Sequence, residues 1–313
     1  MSLVTTKEWC KKYIMDKTRL YQNLNAGMLA ERYDSFRRNL RKNRPYINRY
    51  GGLQRIIGEL AGKDVVVIGA GPSLEKSLPV LKKYQHRREV VFLAVDMALR
   101  PLLRNGITPK YVISCETIPV GFFHSLDTAG IHLIAFSCMS HSAVRSWSGD
   151  MSFFNWMIHE APYDALWKEA GENLGFVATG NIVTTQAVAL ALGCGLRSLY
   201  LAGNDLAFYR QYYTGETVTY MKAVQRVNRF APMEGQDFSS VWKRKDYELN
   251  RDDRRFYTSH QFLAAKMWLE ELFCGHGEYI YDGSDPGCSE KSVRHCGAGD
   301  YFSRYEKKRG KRR

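Results

Sequence analysis

No apolar stretch in these 313 residues approaches the roughly 18 consecutive hydrophobic positions that a bilayer-spanning helix requires. The opening residues, Met1-Ser2-Leu3-Val4-Thr5-Thr6-Lys7-Glu8, lack the apolar core of a secretory signal, so a cytoplasmic location is expected. No internal repeat is visible. Cysteine is sparse and irregular. The seven, at positions 10, 115, 138, 194, 274, 288 and 296, are odd in number and suit a reducing compartment. There is no C-x2-C knuckle. Cys274, His276, Cys288, His295 and Cys296 gather possible soft-metal ligands within 23 residues, but at spacings that structural zinc does not favour. No Gly-Lys-Ser/Thr follows the glycine turn at 69–71, which excludes a Walker loop, and the third glycine of the dinucleotide fingerprint is missing. The absence of a G-x-S-x-G elbow leaves a serine hydrolase without support.

What is present describes a globular protein, with 45% hydrophobic and 25% charged residues. The net charge of +13 lies in the flanks. Residues 1–63 hold 14 Lys/Arg against 5 Asp/Glu, and residues 304–313 hold 7 against 1, so the middle of the chain is slightly acidic. Basic flanks suit an acidic protein, an anionic membrane surface or nucleic acid, and equally describe a solvated helix face and a frayed tail. Nucleic acid fits poorly, because aromatics are not interleaved with the basic tail.

Trp9, Tyr13, Leu20, Tyr21, Leu24, Met28 and Leu29 recur at near-helical intervals and predict two helices, or one bent one, ending near Pro45. Leu53, Ile56, Ile57 and Leu60 predict another helix, stopped at Gly62. The character changes at Asp64. Val65-Val66-Val67-Ile68 is the continuous β-branched run of a strand covered on both faces. Strands are also expected at 90–95, 111–114, 131–136, 152–158 and 198–202, with helices between them, one of them interrupted at Pro79. That alternation predicts an α/β fold, a Rossmann-like doubly wound and mostly parallel sheet with helical N- and C-terminal extensions. The chain divides into a helical extension (1–62), a nucleotide-binding core (63–208), a lid or insertion without periodicity (209–258), a C-terminal helix with a closing segment (259–303) and a basic disordered tail (304–313).

Several polar groups fall at the carboxyl ends of predicted strands, where open α/β sheets bind ligands. Gly69-Ala70-Gly71-Pro72-Ser73 lets backbone N–H groups approach an anion at a helix start, or is a plain tight turn. Asp96, Glu116 and Asp205 end three strands and can bind Mg2+, accept from a ribose hydroxyl or act in catalysis; Asp96 can equally cap the next helix. A second glycine corner, Thr179-Gly180-Asn181 with Thr184 and Thr185, suits a base, sugar or phosphate, or caps the buried helix that follows. Asn204 lies beside Asp205. Tyr212, Tyr213 and Thr214 can add donors from the lid, and His260, at the lid-to-helix junction, is a candidate general base.

Three blocks, Gly69 to Leu74, Ala94 to Leu99 and Leu103 to Ser114, resemble the MptE-like family, and Ala178 to Ala191, Leu201 to Ala207 and, more loosely, Thr258 to Glu271 continue the likeness over roughly residues 50–285. That family includes archaeal 6-hydroxymethyl-dihydropterin diphosphokinases and the central domain of motility-associated-factor flagellin glycosyltransferases. The Asp96 to Glu116 unit is similar to the metal-binding half of thiamine pyrophosphokinases. The Gly-Pro-Ser-Leu loop resembles that of small sialyltransferases, where it holds a CMP-activated nonulosonic acid. The resemblance implies a transferase that uses a nucleotide or nucleotide-sugar. Its first form is a glycosyltransferase acting on a protein or glycan hydroxyl, with an acidic acceptor such as flagellin. Its second is an ATP-dependent diphosphokinase in which Asp96 and Glu116 hold Mg2+. A non-catalytic nucleotide-binding module is the third. Glu116 stands where the family usually has aspartate, and Thr179-Gly180-Asn181 replaces a Gly-Gly-Ser.

Overall fold

The computed structural model describes residues 6–158, 160–209, 211–229, 232, 247–251, 254–289 and 291–310. The chain opens with α1 (Thr6–Tyr50) and α2 (Gln54–Leu60). It then alternates through β1 (Asp64–Ile68), α3 (Leu74–Tyr84), β2 (Val90–Val95), α4 (Asp96–Arg104), β3 (Tyr111–Ser114) and β4 (His132–Phe136). Next come α5 (His141–Ser146), β5 (Met151–Trp156), α6 (Ala161–Ala170), β6 (Phe176–Val177), α7 (Val183–Gly193) and β7 (Ser198–Ala202). Beyond them lie α8 (Val218–Val224), the pair β8 (Tyr247–Arg251) and β9 (Arg254–Thr258), α9 (His260–Leu272), β10 (Ile280–Asp282), β11 (Arg294–His295) and α10 (Ala298–Gly310).

Nine strands form one sheet in the order β11-β10-β7-β1-β2-β3-β4-β5-β6, and every neighbouring pair is parallel. The apolar runs are the cause: every residue of β1, β2, β3, β4, β5 and β7 is buried, as strands with helices on both faces require. The expected doubly wound α/β fold is the observed one. Strand order moves outward from β1 to β6, then α7 carries the chain back across the sheet to β7 on the other side of β1. The switch point therefore falls between β1 and β7, with the two sequences Gly69-Ala70-Gly71 and Gly203-Asn204-Asp205 at their carboxyl ends.

Four local expectations are corrected. The N-terminal segment is one helix that runs through Pro45 to Tyr50, because buried Ile47 and Leu53 hold its last turn and the connection beyond it. Pro79 does not interrupt α3: it removes a single N–H donor, and the buried face of Leu74, Ser77, Leu81 and Tyr84 keeps the helix seated. The insertion contains structure, namely α8 and the antiparallel β8–β9 pair; only Phe256 and Thr258 of β9 are buried, too few to set up a period. Its residues 210, 230–231, 233–246 and 252–253 lie outside the described ones.

The basic tail is helical as far as Gly310, with 311–313 outside the described residues. Buried Asp64, at the start of β1, receives Arg197, the Tyr305 hydroxyl and Ser198 Oγ at 2.7 Å, while Arg304 reaches it at 3.0 Å. Burial alone would push the Asp64 carboxyl up, but these donors and charges overcome it and hold its pKa below the usual range. Tyr84 stacks on Phe302 at 4.7 Å, and Lys83 reaches Glu306 at 2.6 Å. Those contacts order a segment whose sequence reads as solvated.

Candidate functional site

A cleft of about 970 Å³ opens above the carboxyl ends of β1, β2, β3 and β7. Ala70, Gly71, Asp96, Glu116, Asn181, Thr184, Asn204, Asp205, Tyr213 and His260 all line it. The two glycine corners and the three strand-end acids thus converge on one space. The helices α1, α7 and α9 pack together along this edge and form much of its wall.

Gly69, Pro72, Ser73, Thr179 and Gly180 do not line the cleft. They build its floor and flank. Gly69 N–H donates to Ala202 at 2.8 Å and Gly71 N–H to Gly203 at 2.8 Å. A Cβ at Gly69 would lie 2.4 Å from the Gly203 carbonyl oxygen, and Gly203 itself sits at φ +66°. The glycines of the first corner are therefore spent on close approach to the second strand end. Ser73 stands at the N-cap of α3 but makes no side-chain cap. Its hydroxyl donates to Asp205 Oδ1 and its N–H to Asp205 Oδ2 at 2.9 Å.

The three acids occupy different environments. Asp96 is buried at the first position of α4; Oδ1 accepts from Met97 N–H at 2.8 Å and Oδ2 from Ser114 Oγ at 2.7 Å. Burial, with the Glu116 charge adding to it, outweighs those bonds and lifts the Asp96 pKa to about 7. Glu116 is half-buried. Its Oε1 accepts from Thr117 N–H at 2.9 Å, Ile118 N–H at 3.1 Å and Arg32 Nη1 at 3.3 Å. Asp205 is buried, and desolvation raises its pKa to about 7 despite the Ser73 donors. Carboxyl groups titrating near neutrality can exchange protons with a bound ligand.

At the second corner neither Thr179 nor Asn181 caps α7, whose N-cap is Ile182. Thr179 Oγ1 accepts from Asn181 N–H at 3.1 Å and from Gln186 Nε2 at 2.7 Å, and Gly180 N–H donates to Thr185 Oγ1 at 2.8 Å. Asn181 takes φ +69°, and its carbonyl accepts from Gln261 of α9 at 2.8 Å. Three amide atoms beside the cleft are buried without a partner: Asn181 Oδ1, Gln186 Oε1 and Asn204 Nδ2. An unpaired buried amide costs about 1–3 kcal/mol, and all three belong to residues that line this one opening.

The remaining wall comes from the insertion and α9. Thr214 N–H donates to the Ala70 carbonyl at 2.9 Å, which fixes Tyr212 and Tyr213 beside the first corner. Tyr212 stacks on Phe262 with centroids 5.4 Å apart, and His260 is exposed at the start of α9. Arg32, Gln186 and Gln261 also line the cleft, although nothing in the sequence analysis singles them out. Gln186 carried a signal, as the only amide in an apolar helix. The scattered Cys/His set at 274–296 forms no ligand sphere: His295 Nε2 contacts the Cys288 carbonyl at 2.8 Å, Cys288 is buried and Cys274 is exposed. Among the described residues no group of three or more His, Cys, Asp or Glu is arranged to hold a metal ion. Nor, among them, is any helix long and apolar enough to cross a membrane.

The family model described as 6-hydroxymethylpterin diphosphokinase MptE-like matches residues 38–211, more than half of the chain. The chain belongs to the MptE-like family. The matched segment carries Asp96, Glu116, Asn181, Gln186, Asn204 and Asp205, whereas Arg32 precedes it and His260 follows it. No curated protein matched the sequence. Among solved structures, the MptE-like chain is similar to the MAf glycosyltransferase from Magnetospirillum magneticum AMB-1, at a TM-score of 0.55 and 18% identity. The likeness covers 76% of this chain and 34% of that one, so the two share a fold over about a third of the larger protein.

Proposed function

We propose that this MptE-like chain is a nucleotide-dependent transferase, glycosyltransferase-like in its chemistry, that moves a sugar from a nucleotide donor to a hydroxyl of a protein or glycan. The observation that carries this reading is the trio of unpaired amide atoms, on Asn181, Gln186 and Asn204, around a cleft at the strand-order reversal. Amides of both polarities suit a nucleobase or sugar, which presents donors and acceptors together. The space, about 970 Å³, is at the upper end for small-ligand sites and leaves room for a second group beside a nucleotide.

In this reading Asp96 is the general base. A carboxyl poised near pH 7 can take the proton of an acceptor hydroxyl as that oxygen attacks the anomeric carbon. The bond from that carbon to the donor phosphate oxygen breaks, and the nucleotide leaves with the electron pair. His260, exposed at the start of α9 and lining the same cleft, is the second candidate for a catalytic role. The basic flanks favour an acidic acceptor protein.

A second reading, a diphosphokinase using ATP, is favoured by the family description and by the Asp96–Glu116 pair. The donor set fits Mg2+: two hard carboxylates beside one cleft, with substrate phosphates and water for the remaining positions. When bound, the ion would offset charge on the transferred group.

Thermal stabilisation against CMP, CDP, UDP and ATP, each with and without Mg2+, separates the readings. A nucleotide at 100 times its Kd adds about 2.7 kcal/mol of stability. Stabilisation by CMP, CDP or UDP without metal supports the glycosyltransferase. A shift only with ATP plus Mg2+, lost in Asp96→Asn, supports the diphosphokinase. No shift with any nucleotide refutes both.

A further inference from the structure

The cleft is acidic for a site that takes a phosphorylated ligand. Glu31, Asp96, Glu116 and Asp205 line it, and among the described lining residues Arg32 is the single Lys or Arg. Three of the four backbone donors of the first glycine corner are already engaged: Gly69 and Gly71 bond the facing strand end, and Ser73 bonds Asp205. The α7 N-terminus offers partial positive charge only. A ligand phosphate therefore needs a cation, and one is within reach.

Arg32 lies on α1 with Phe36, Asn39 and Asn43, a spacing that turns one helix face toward the sheet. Phe36 is fully buried. Asn39 Nδ2 donates to the Thr117 carbonyl at 2.8 Å and the Cys138 carbonyl at 3.1 Å; Asn43 Nδ2 donates to the Met139 carbonyl at 2.8 Å. These bonds fix the helix two turns from Arg32. The guanidinium itself is loosely held. Nη1 is 3.3 Å from Glu116 Oε1 and 3.3 Å from Thr117 Oγ1, both long for hydrogen bonds, and the arginine side chain is 31% exposed. Its Nε and Nη2 have no hydrogen-bond partner among the described residues. A guanidinium with a free edge is shaped for two phosphate oxygens.

We propose that Arg32 is the anion-binding residue of the cleft, parked on Glu116 and Thr117 until the phosphate of a nucleotide takes their place. The residue comes from outside the segment that matches the family, so this chain's N-terminal helix completes the site. The inference rests on the nucleotide reading above and names the residue that recognises the phosphate.

The test is calorimetric binding of CMP, UDP and ATP beside cytidine, uridine and adenosine, in EDTA, to the full chain and three variants. In the wild type each nucleotide that binds should bind more tightly than its nucleoside. Arg32→Ala should cut the nucleotide-to-nucleoside affinity ratio by about tenfold or more and leave nucleoside binding nearly unchanged. Arg32→Lys, which keeps the charge and loses the fork, should retain part of the ratio. Glu116→Gln, which removes the competing carboxylate, should raise it. An unchanged ratio in Arg32→Ala overturns the proposal while leaving the nucleotide reading intact. An equal fall for nucleotide and nucleoside reduces Arg32 to a wall residue and overturns it too. A wild type that binds none of the nucleotides refutes the nucleotide reading itself, and the proposal with it.

Discussion

The carboxylate of Asp205 sits where a ligand anion would be expected, accepting the N–H and the hydroxyl of Ser73 at the start of α3. A phosphate-type glycine loop has here been filled from within. The first helix N-terminus stabilises an acid of the protein, and the open part of the cleft lies beside it, toward Asp96, Glu116 and α7.

That arrangement makes Gly71 sensitive. A Cβ there would lie 2.6 Å from Asp205 Cγ and 2.8 Å from the Gly203 carbonyl oxygen. Gly71→Ala is expected to destabilise the fold by about 1–3 kcal/mol. Gly193→Ala, at a helical position with nothing within 4 Å, should instead stabilise by about 0.4–1 kcal/mol. Urea unfolding of both variants checks the contrast. Equal effects would mean that the corner is looser than described.

Asp96 couples stability to pH. Its folded pKa, about 7, lies above the unfolded carboxylate value, so the native state holds a proton that the unfolded chain gives up. Its contribution is full in acid below about pH 4 and is lost as pH rises to about 7, above which the buried charge costs on the order of a few kcal/mol. Asp96→Asn should match the wild type near pH 4, exceed its stability at pH 8 and abolish transfer. A stability difference that does not grow with pH would refute the assignment.

Gln186 separates folding from binding. Gln186→Met keeps the volume, removes the unpaired Oε1 and gives up the bond to Thr179. These effects oppose one another, so unliganded stability should stay within about 1 kcal/mol of the wild type. The added stability from a bound nucleotide should fall sharply. Melting curves with and without nucleotide decide the matter, and an undiminished ligand shift would remove Gln186 from the site.

Asp64 anchors α10. Asp64→Ala removes the partner of Arg197, Arg304 and Tyr305 and should cost about 3 kcal/mol, because the two arginines keep some access to water. Since the Asp64 pKa is lowered in the folded protein, its contribution is present above the unfolded carboxylate pKa of about 3.9 and is lost as pH falls through the folded value. Chemical denaturation at pH 7 and in acid should show the gap between wild type and variant closing in acid.

The sheet was legible because its strands are short continuous apolar runs, Val65 to Ile68 and Val90 to Val95 among them, bounded by polar turns. A strand end is also a place, so the positions of Asp96, Glu116 and Asp205 in the sequence alone put them on one edge. Pairing was not legible. Nothing local to Ser73 says that its partner is Asp205, 132 residues away. Arg32 was hidden for the same reason: an arginine on a long polar helix looks solvated until the helix is laid across the sheet. The tail misled because its order comes from Asp64, Lys83 and Tyr84, all distant in sequence.

Backbone stitching between Gly69–Gly71 and Ala202–Gly203 makes the base of the cleft an unyielding seam. An arriving molecule cannot wedge β1 away from β7 without breaking both bonds. Accommodation falls to the sides, which hang from separate stretches of chain, among them α1, the segment after β3 with Thr117, Val120 and Phe122, α7, Tyr212–Tyr213 and the first turn of α9. Selectivity for one guest over another is accordingly a property of these flanking pieces, while the seam beneath them stays the same for every guest.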